Sequence, residues 1–92
     1  ILDLARVGGR TPWRKLAAMG EAYSIPFCGH VAPEVHKHLL ASVPAGHMVG
    51  YVPLSTEVPE NMPVPVAGKM ALLDAPGHGL QLDESAVARF KI

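Results

Sequence analysis

The sequence has few charged residues, and neither sign is in excess. Eight Lys and Arg offset eight Asp and Glu among 92 residues, and charged residues make up only 17% of the chain. The basic residues form no cluster of the kind that replaces counterions along a phosphate backbone. The sequence therefore argues against nucleic acid as a partner.

Long apolar runs are also absent, since the longest are a few residues, such as 70–73, whereas a membrane-spanning helix takes about 20. No membrane segment is expected. The one cysteine, Cys28, excludes an internal disulfide and suits a buried thiol in a reducing compartment, which predicts a cytoplasmic protein. The sequence opens on Ile1 without a signal-peptide pattern, and we interpret it as part of a longer chain.

Hydrophobic residues make up 49% of the sequence, which is typical of a chain that folds and packs. Residues 1–7 begin apolar and end at Gly8-Gly9, as a strand would. Thr11 as N-cap and Pro12 at the first position predict a helix that ends near Tyr23. Its expected buried stripe follows helical spacing: Trp13, Leu16, Ala17 and Gly20.

A second strand and helix follow in the same order. Phe27–His30 is a short apolar run that predicts a strand, and Ala32-Pro33-Glu34 opens a helix that Pro44 stops. Its expected buried face contains Val35, His38, Leu39 and Ser42. A third strand is predicted at residues 48–52. Short strands joined by helices indicate an α/β fold with a parallel sheet, whose faces need covering on both sides.

After the third strand the composition changes to a polar stretch with prolines at positions 53, 59, 63 and 65, which predicts a long connection. A turn-rich segment at 74–80 follows, and Asp83 is placed to cap a short helix that runs to about Arg89. The change divides the chain into residues 1–53 and residues 54–92.

Two residues stand where parallel strands would end. If Phe27–His30 is such a strand, His30 lies at its carboxyl end, and Asp3 ends the preceding strand in the same sense. A carboxylate that accepts from one imidazole nitrogen fixes the tautomer and leaves the other nitrogen free to take a proton. A buried structural histidine and a turn aspartate would fit the same spacing.

The other histidines give weaker signals. His36 and His38 are two residues apart on the expected helix and so point about 200° apart, which makes a shared zinc ion unfavourable. One of the two is expected to be buried and the other solvated. His47 and His78 fall in expected loops and are interpreted as surface residues, and Gly8-Gly9 lacks the spacing of a dinucleotide-binding motif.

Four segments resemble consecutive blocks of one enzyme family, in that family's order and spacing. They are Asp3-Leu-Ala-Arg-Val-Gly-Gly9, Thr11-Pro-Trp-Arg-Lys15, Gly29-His-Val-Ala-Pro-Glu-Val-His36 and Ala75-Pro-Gly-His-Gly-Leu80. The resemblance is to the mandelate racemase/muconate lactonizing family of the enolase superfamily. It implies that residues 1–53 are the last strands and helices of a TIM-type (β/α) barrel, and that residues 54–92 are an extension returning to a capping domain.

The resemblance also implies the chemistry and its residues. In this family an Asp before Gly-Gly and a His at the end of the next strand act as a pair, so that Asp3 orients and His30 moves the proton. The reaction abstracts the proton α to a carboxylate and depends on Mg²⁺. An acid-sugar dehydratase is the favoured activity, and a racemase or epimerase of a 2-hydroxy acid is the alternative. A homo-oligomer is expected.

Two departures from the family pattern limit what can be transferred. The family's three carboxylate metal ligands and its lysine motif belong to strands that would precede Ile1, so the 92 residues alone are expected to be inactive. Many members also carry Glu at the end of the strand after the catalytic His, where this sequence has Gly50. Gly50 argues against racemase-like activity or else implies a different mode of substrate binding.

Two further classes stay open. One is a non-catalytic fragment that acts only by association, through an uncovered sheet edge and apolar faces. The weaker one is a small zinc-binding module. The sequence does not identify a substrate.

Overall fold

The computed structural model describes residues 1–52, 54 and 56–92. The elements in chain order are β1 (Leu2–Asp3), α1 (Arg10–Ala22), β2 (Phe27–His30), α2 (Pro33–Ala41), β3 (Gly46–Gly50) and α3 (Glu84–Phe90). The strands form a sheet of order β1-β2-β3 in which both neighbouring pairs are parallel. The predicted α/β fold with a parallel sheet is confirmed. Pro53, where the predicted boundary falls, lies outside the described residues.

β1 is shorter than the predicted strand at residues 1–7. The Asp3 carboxylate accepts hydrogen bonds from the backbone N–H groups of Ala5 and Arg6, and Val7 N–H donates to the Asp3 carbonyl. These local bonds turn the backbone out of the extended conformation directly after Asp3. The strand therefore ends at the aspartate itself.

α1 ends where predicted, with Tyr23 as its C-cap, but it begins at Arg10. The expected Thr11 cap is wrong, because the N-cap is Gly9, whose φ of 100° is accessible mainly to glycine. Pro12 therefore stands at the third helical position and not the first, where it is tolerated because the first helical N–H groups need no partner within the helix. Trp13 and Ala17 are buried as expected, but Leu16 is 38% exposed, so its place in the stripe is wrong.

The buried face of α2 overlaps the predicted one at Leu39, while the predicted Val35 and His38 are only partly buried. Its buried residues are Pro33, His36, Lys37, Leu39 and Leu40, whereas Ser42 follows the helix and is exposed. Because two of these buried residues are a histidine and a lysine, the hydrophobic pattern of the sequence does not identify the buried face correctly.

β3 begins and ends two residues earlier than predicted. β2 stops at His30, and His30 pairs with Gly50, so Tyr51 and Val52 have no strand residue left to pair with in β2. The register between the two strands shifts between Phe27 and Cys28.

The core lies on one face of the sheet, where both long helices pack. Its buried members are Trp13, Ala17, Phe27, Leu39 and Leu40. Because side chains alternate along a strand, Phe27 and Gly29 face these helices, while Cys28 and His30 face the other side. On that side Met48, the partner of Cys28, is 58% exposed. The His30 side chain on the same side is 44% exposed and Cys28 is partly buried, so among the described residues this second face is largely open to solvent, and we call it the bare face.

The described residues of the tail, 51, 52, 54 and 56–92, make hydrogen bonds with one another. Residues near 58–61 pair with residues 79–83, through a bridge of Pro59 with Leu82 and backbone bonds from Glu60 to Gln81 and from Asp83 to Val58. α3 has the predicted cap, since the Asp83 carboxylate accepts from the N–H groups of Ser85 and Ala86. In the described part of the chain, no helix has both the length and the apolar character needed to cross a membrane.

Candidate functional site

Asp3 and His30 meet at the carboxyl edge of the sheet. Each is the last residue of its strand, the two are register partners, and Nδ1 of His30 lies 2.9 Å from Oδ2 of Asp3. The predicted contact is therefore present. Since a carboxylate only accepts, His30 Nδ1 is the donor, and its Nε2 is left free to accept a proton.

The second oxygen of the Asp3 carboxylate is fixed by the backbone. Oδ1 accepts from the N–H groups of Ala5 at 2.9 Å and Arg6 at 3.1 Å. With both oxygens bound, the carboxylate cannot rotate without losing hydrogen bonds, so the direction in which it holds the imidazole is fixed as well.

The same contacts favour a charged Asp3. The hydrogen bond from His30 is the largest cause that lowers the pKa of the Asp3 carboxyl below its usual value, and the N–H of Arg6 is the next. The Arg6 guanidinium lies 3.7 Å away and is 84% exposed, so it contributes a weak, screened attraction. The His30 side chain is 44% exposed and Asp3 only 17%. The imidazole is therefore the accessible member of the pair.

A strained turn follows His30 immediately. Val31 and Ala32 have φ values of 60° and 44°, a left-handed conformation that costs a non-glycine residue about 1–3 kcal/mol. His36 contacts both residues: its Nδ1 donates to the Val31 carbonyl and its backbone N–H to the Ala32 carbonyl. The sequence patterns did not indicate this turn, because valine and alanine do not favour it.

The last residue of β3 at this edge of the sheet is Gly50, the register partner of His30. Asp3, His30 and Gly50 thus lie side by side on three parallel strands, and the third position carries no side chain. A methyl group added at Gly50 would lie 3.1 Å from the Gly29 carbonyl oxygen, so the backbones already approach closely there.

The remaining histidines lie apart from this pair. His36 is fully buried, as expected of one of the two, whereas His38 is partly buried with its Nε2 shielded from solvent, so the expectation that the other is solvated is wrong. His47 is exposed, as predicted, whereas His78 is partly buried and its Nδ1 accepts from the N–H of Leu80. No group of three or more His, Cys, Asp or Glu side chains that could hold a metal ion occurs among the described residues. The described residues therefore do not fit a Mg²⁺ or zinc site of their own.

The fold and this pair together define an α/β domain of the kind that places reactive side chains at the carboxyl ends of parallel strands. Comparison with known families gives the particular group. The family described as enolase C-terminal domain-like, of the mandelate racemase/muconate lactonizing type, matches residues 1–86. The chain belongs to this family.

Three relatives illustrate the similarity. The 3,6-anhydro-alpha-L-galactonate cycloisomerase of Streptomyces coelicolor is 34% identical over 95 residues, covering 98% of this chain and 25% of that protein. The structure of L-talarate dehydratase from Polaromonas sp. JS666, complexed with Mg and L-glucarate, has a TM-score of 0.86 at 31% identity, covering 96% of this chain and 25% of that one.

The third relative is an enolase from Bradyrhizobium, complexed with magnesium and mandelic acid. Its TM-score is 0.87 at 34% identity, and the match covers 98% of this chain and 25% of that one. The chain thus spans about a quarter of the length of the relatives it matches.

Proposed function

We propose that this chain is the C-terminal part of a Mg²⁺-dependent acid-sugar dehydratase, in which His30 removes the proton α to the substrate carboxylate and Asp3 orients His30. The observation that carries the proposal is the 2.9 Å contact of His30 Nδ1 with the fixed Asp3 carboxylate. It leaves Nε2 as the only ring nitrogen that can take a proton, on an accessible side chain. Relatives named as acid-sugar dehydratases support the substrate class.

The bare face of the sheet supports a place in a (β/α) barrel. Three consecutive parallel strands with both crossover helices on one face occur in (β/α) barrels and also in each half of a doubly wound sheet, and membership of the enolase C-terminal domain-like family favours the barrel. The exposed Met48 and the accessible His30 lie on the face that would become the barrel interior. We therefore propose residues 1–53 as barrel strands and helices, and residues 54–92 as the extension returning to a capping domain.

The proposed chemistry needs two steps from the same imidazole. Nε2 of His30 takes the α-proton, and Asp3 stabilises the imidazolium that forms. In a dehydration the imidazolium then returns its proton to the departing β-hydroxyl, so that water leaves and His30 is neutral again. In a racemisation His30 would keep the α-proton, and a second acid on the opposite side of the substrate would donate a different proton to the α-carbon.

The proposed Mg²⁺ is not assigned to residues of this chain, because the described residues offer no ligand group. Relatives crystallised with Mg support the dependence. We propose that the ligands lie in other segments of the full-length enzyme, together with the rest of the barrel and the capping domain. Assembly as a homo-oligomer and a cytoplasmic location stay predictions.

A racemase or epimerase of a 2-hydroxy acid is the second candidate. It is favoured by the Bradyrhizobium enolase bound to mandelic acid, which is such an acid. Gly50 has no side chain, so in either candidate enzyme no side chain at position 50 would bind the substrate carboxylate. Product analysis separates the two, because a dehydratase releases a 2-keto acid and a racemase an epimer.

The test uses the full-length enzyme and exchange of the substrate α-hydrogen with solvent deuterium. His30→Asn is expected to slow exchange about 10²–10⁴-fold, the usual contribution of a positioned acid–base group. Asp3→Asn is expected to slow it as well, because an amide can donate to Nδ1 and so favour the wrong tautomer. His47→Asn, an exposed histidine at the other end of the sheet, is the matched control. Undiminished exchange in His30→Asn would remove His30 from the mechanism.

A non-catalytic role by association is tested by the 92-residue chain alone. With one face of its sheet bare, the chain is expected to associate or to lose structure when it is produced without the rest of the barrel. Size-exclusion chromatography and circular dichroism measure this. A folded monomer would contradict the need for a missing half of the barrel.

A further inference from the structure

The imidazole of His36 occupies a position that the proton-transfer chemistry does not use. It is fully buried between the end of β2 and α1, with its ring 6.1 Å from that of Trp13. A methyl group added at Gly29 would lie 2.7 Å from its Cδ2, so only glycine at position 29 leaves room for the ring. The absence of a side chain at Gly29, directly before His30, therefore makes room for the His36 ring.

The polar contacts of His36 converge on the residues that follow His30. Its Nδ1 donates to the carbonyl of Val31, and its backbone N–H donates to the carbonyl of Ala32 at 2.9 Å. These carbonyls belong to the two consecutive left-handed residues. The Ala32 carbonyl also accepts from the N–H of Val35, as is usual at the start of a helix, so the contact that depends on the His36 side chain is the one from Nδ1 to the Val31 carbonyl.

The turn fixes the direction in which the chain leaves the sheet at His30. α2 begins at Pro33, so residues 31 and 32 alone reverse the chain from strand to helix. Valine in a left-handed conformation tends to relax toward an extended one unless its surroundings prevent it. Relaxation would rotate the peptide bonded to His30 and move the imidazole relative to Asp3.

We propose that His36 is a positioning residue that keeps the Val31–Ala32 turn in its left-handed conformation and thereby holds His30 against Asp3. This inference rests on the proposed function, since His36 affects proton transfer only by positioning His30. His36 acts from the helix side of the sheet, whereas a substrate on the open face would contact His30.

Two substitutions of similar size separate this role from packing. In His36→Asn the amide nitrogen takes the place of Nδ1 and can still donate to Val31. In His36→Gln the amide is displaced toward the place of Nε2, so the donor is lost while a polar side chain remains. His38→Gln on the same helix is the matched control, because the His38 ring makes no hydrogen bond with the part of the chain that the structure describes.

The measurement on the full-length enzyme combines kinetics with ¹⁵N NMR of the imidazoles, the His30 signals being assigned with His30→Asn. In wild type and His36→Asn, His30 is expected to carry its hydrogen on Nδ1. In His36→Gln a mixture of tautomers is expected, with kcat lower by about 10²-fold, as for a misplacement of the order of 1 Å, and KM nearly unchanged.

Two outcomes overturn the proposal: His36→Gln with wild-type kcat and an unchanged His30 tautomer, or equal losses in His36→Asn and His36→Gln. Because the NMR signal reports the Asp3–His30 contact without turnover, it stays informative even if His30→Asn leaves α-hydrogen exchange intact. In that case the proposed function fails, while the positioning of His30 by His36 is still measured.

Discussion

The sheet with its two long helices and the tail are stabilised in different ways. Residues 1–50 share a core around Trp13, whose ring meets that of Phe27 edge to face at 5.5 Å. Among the described residues of the tail, 51, 52, 54 and 56–92, only Ala86 is buried, and hydrogen bonds of Asn61 and Asp83 hold its loops. The candidate site lies in the region with the apolar core, where rigid elements fix side-chain directions.

The largest expected effect is the loss of the core ring. Trp13→Ala in the full-length protein is expected to lower the free energy of unfolding by about 3–5 kcal/mol, because it removes a fully buried aromatic side chain and leaves a cavity. Urea denaturation measures it. Tyr23→Ala on the same helix, where the ring is 76% exposed, is the control and is expected to change stability by less than about 0.5 kcal/mol. Equal effects would contradict the distinction between core and surface.

A smaller effect is expected from the amide that joins two segments of the tail. Asn61 donates to the carbonyl of Gly79 at 2.7 Å and accepts from the N–H of Gln81 at 2.9 Å. Asn61→Ala is expected to cost about 1–2 kcal/mol, the net value of two hydrogen bonds. Hydrogen exchange should increase at residues 79–83 and stay unchanged in β2. Faster exchange throughout the sheet would show that the two regions are not separate.

The smallest effect is expected at the cap of α3. Asp83→Ala removes the acceptor of two N–H groups and is expected to speed hydrogen exchange of residues 84–90 about fivefold, whereas Asp83→Ser keeps an acceptor and should stay close to wild type. An unchanged rate in Asp83→Ala would show that the cap is not important.

The cap also predicts a dependence on pH. The hydroxyl of Ser85 is the largest cause that lowers the pKa of Asp83, followed by the N–H of Ala86. Because the folded-state pKa lies below the unfolded value of 3.8, the stabilisation is complete above pH 3.8 and is lost as the pH falls through the folded pKa. Asp83→Ala should not show this loss.

The parts of the structure that could be predicted are those set by local sequence signals or by the order of the strands. β2, the end of α1 and the cap of α3 follow from local signals, namely a short apolar run, helical spacing and a capping aspartate. The Asp3–His30 contact followed from strand order alone, because the carboxyl ends of neighbouring parallel strands share one edge.

The errors have physical reasons at particular residues. Asp3 ends β1 because its carboxylate accepts hydrogen bonds from the backbone N–H groups that follow it. α1 begins after Gly9, which has no side chain, so no capping side chain marks the start of the helix in the sequence. The buried face of α2 contains His36 and Lys37, which are polar and so do not look like core residues in the sequence. His36 donates to the carbonyl of Val31 in the turn before the helix, and Lys37 donates to the carbonyl of Ala71, which is distant in sequence. The left-handed Val31 and Ala32 have no sequence signal, since neither residue type favours that conformation.

The most direct test of the account is a crystal structure of the full-length enzyme with an acid-sugar substrate analogue. The account predicts that Nε2 of His30 faces the α-carbon of the analogue at about 3–3.5 Å, with Nδ1 still on Asp3. An analogue bound at another edge of the sheet, or with its α-carbon turned away from His30, would contradict it.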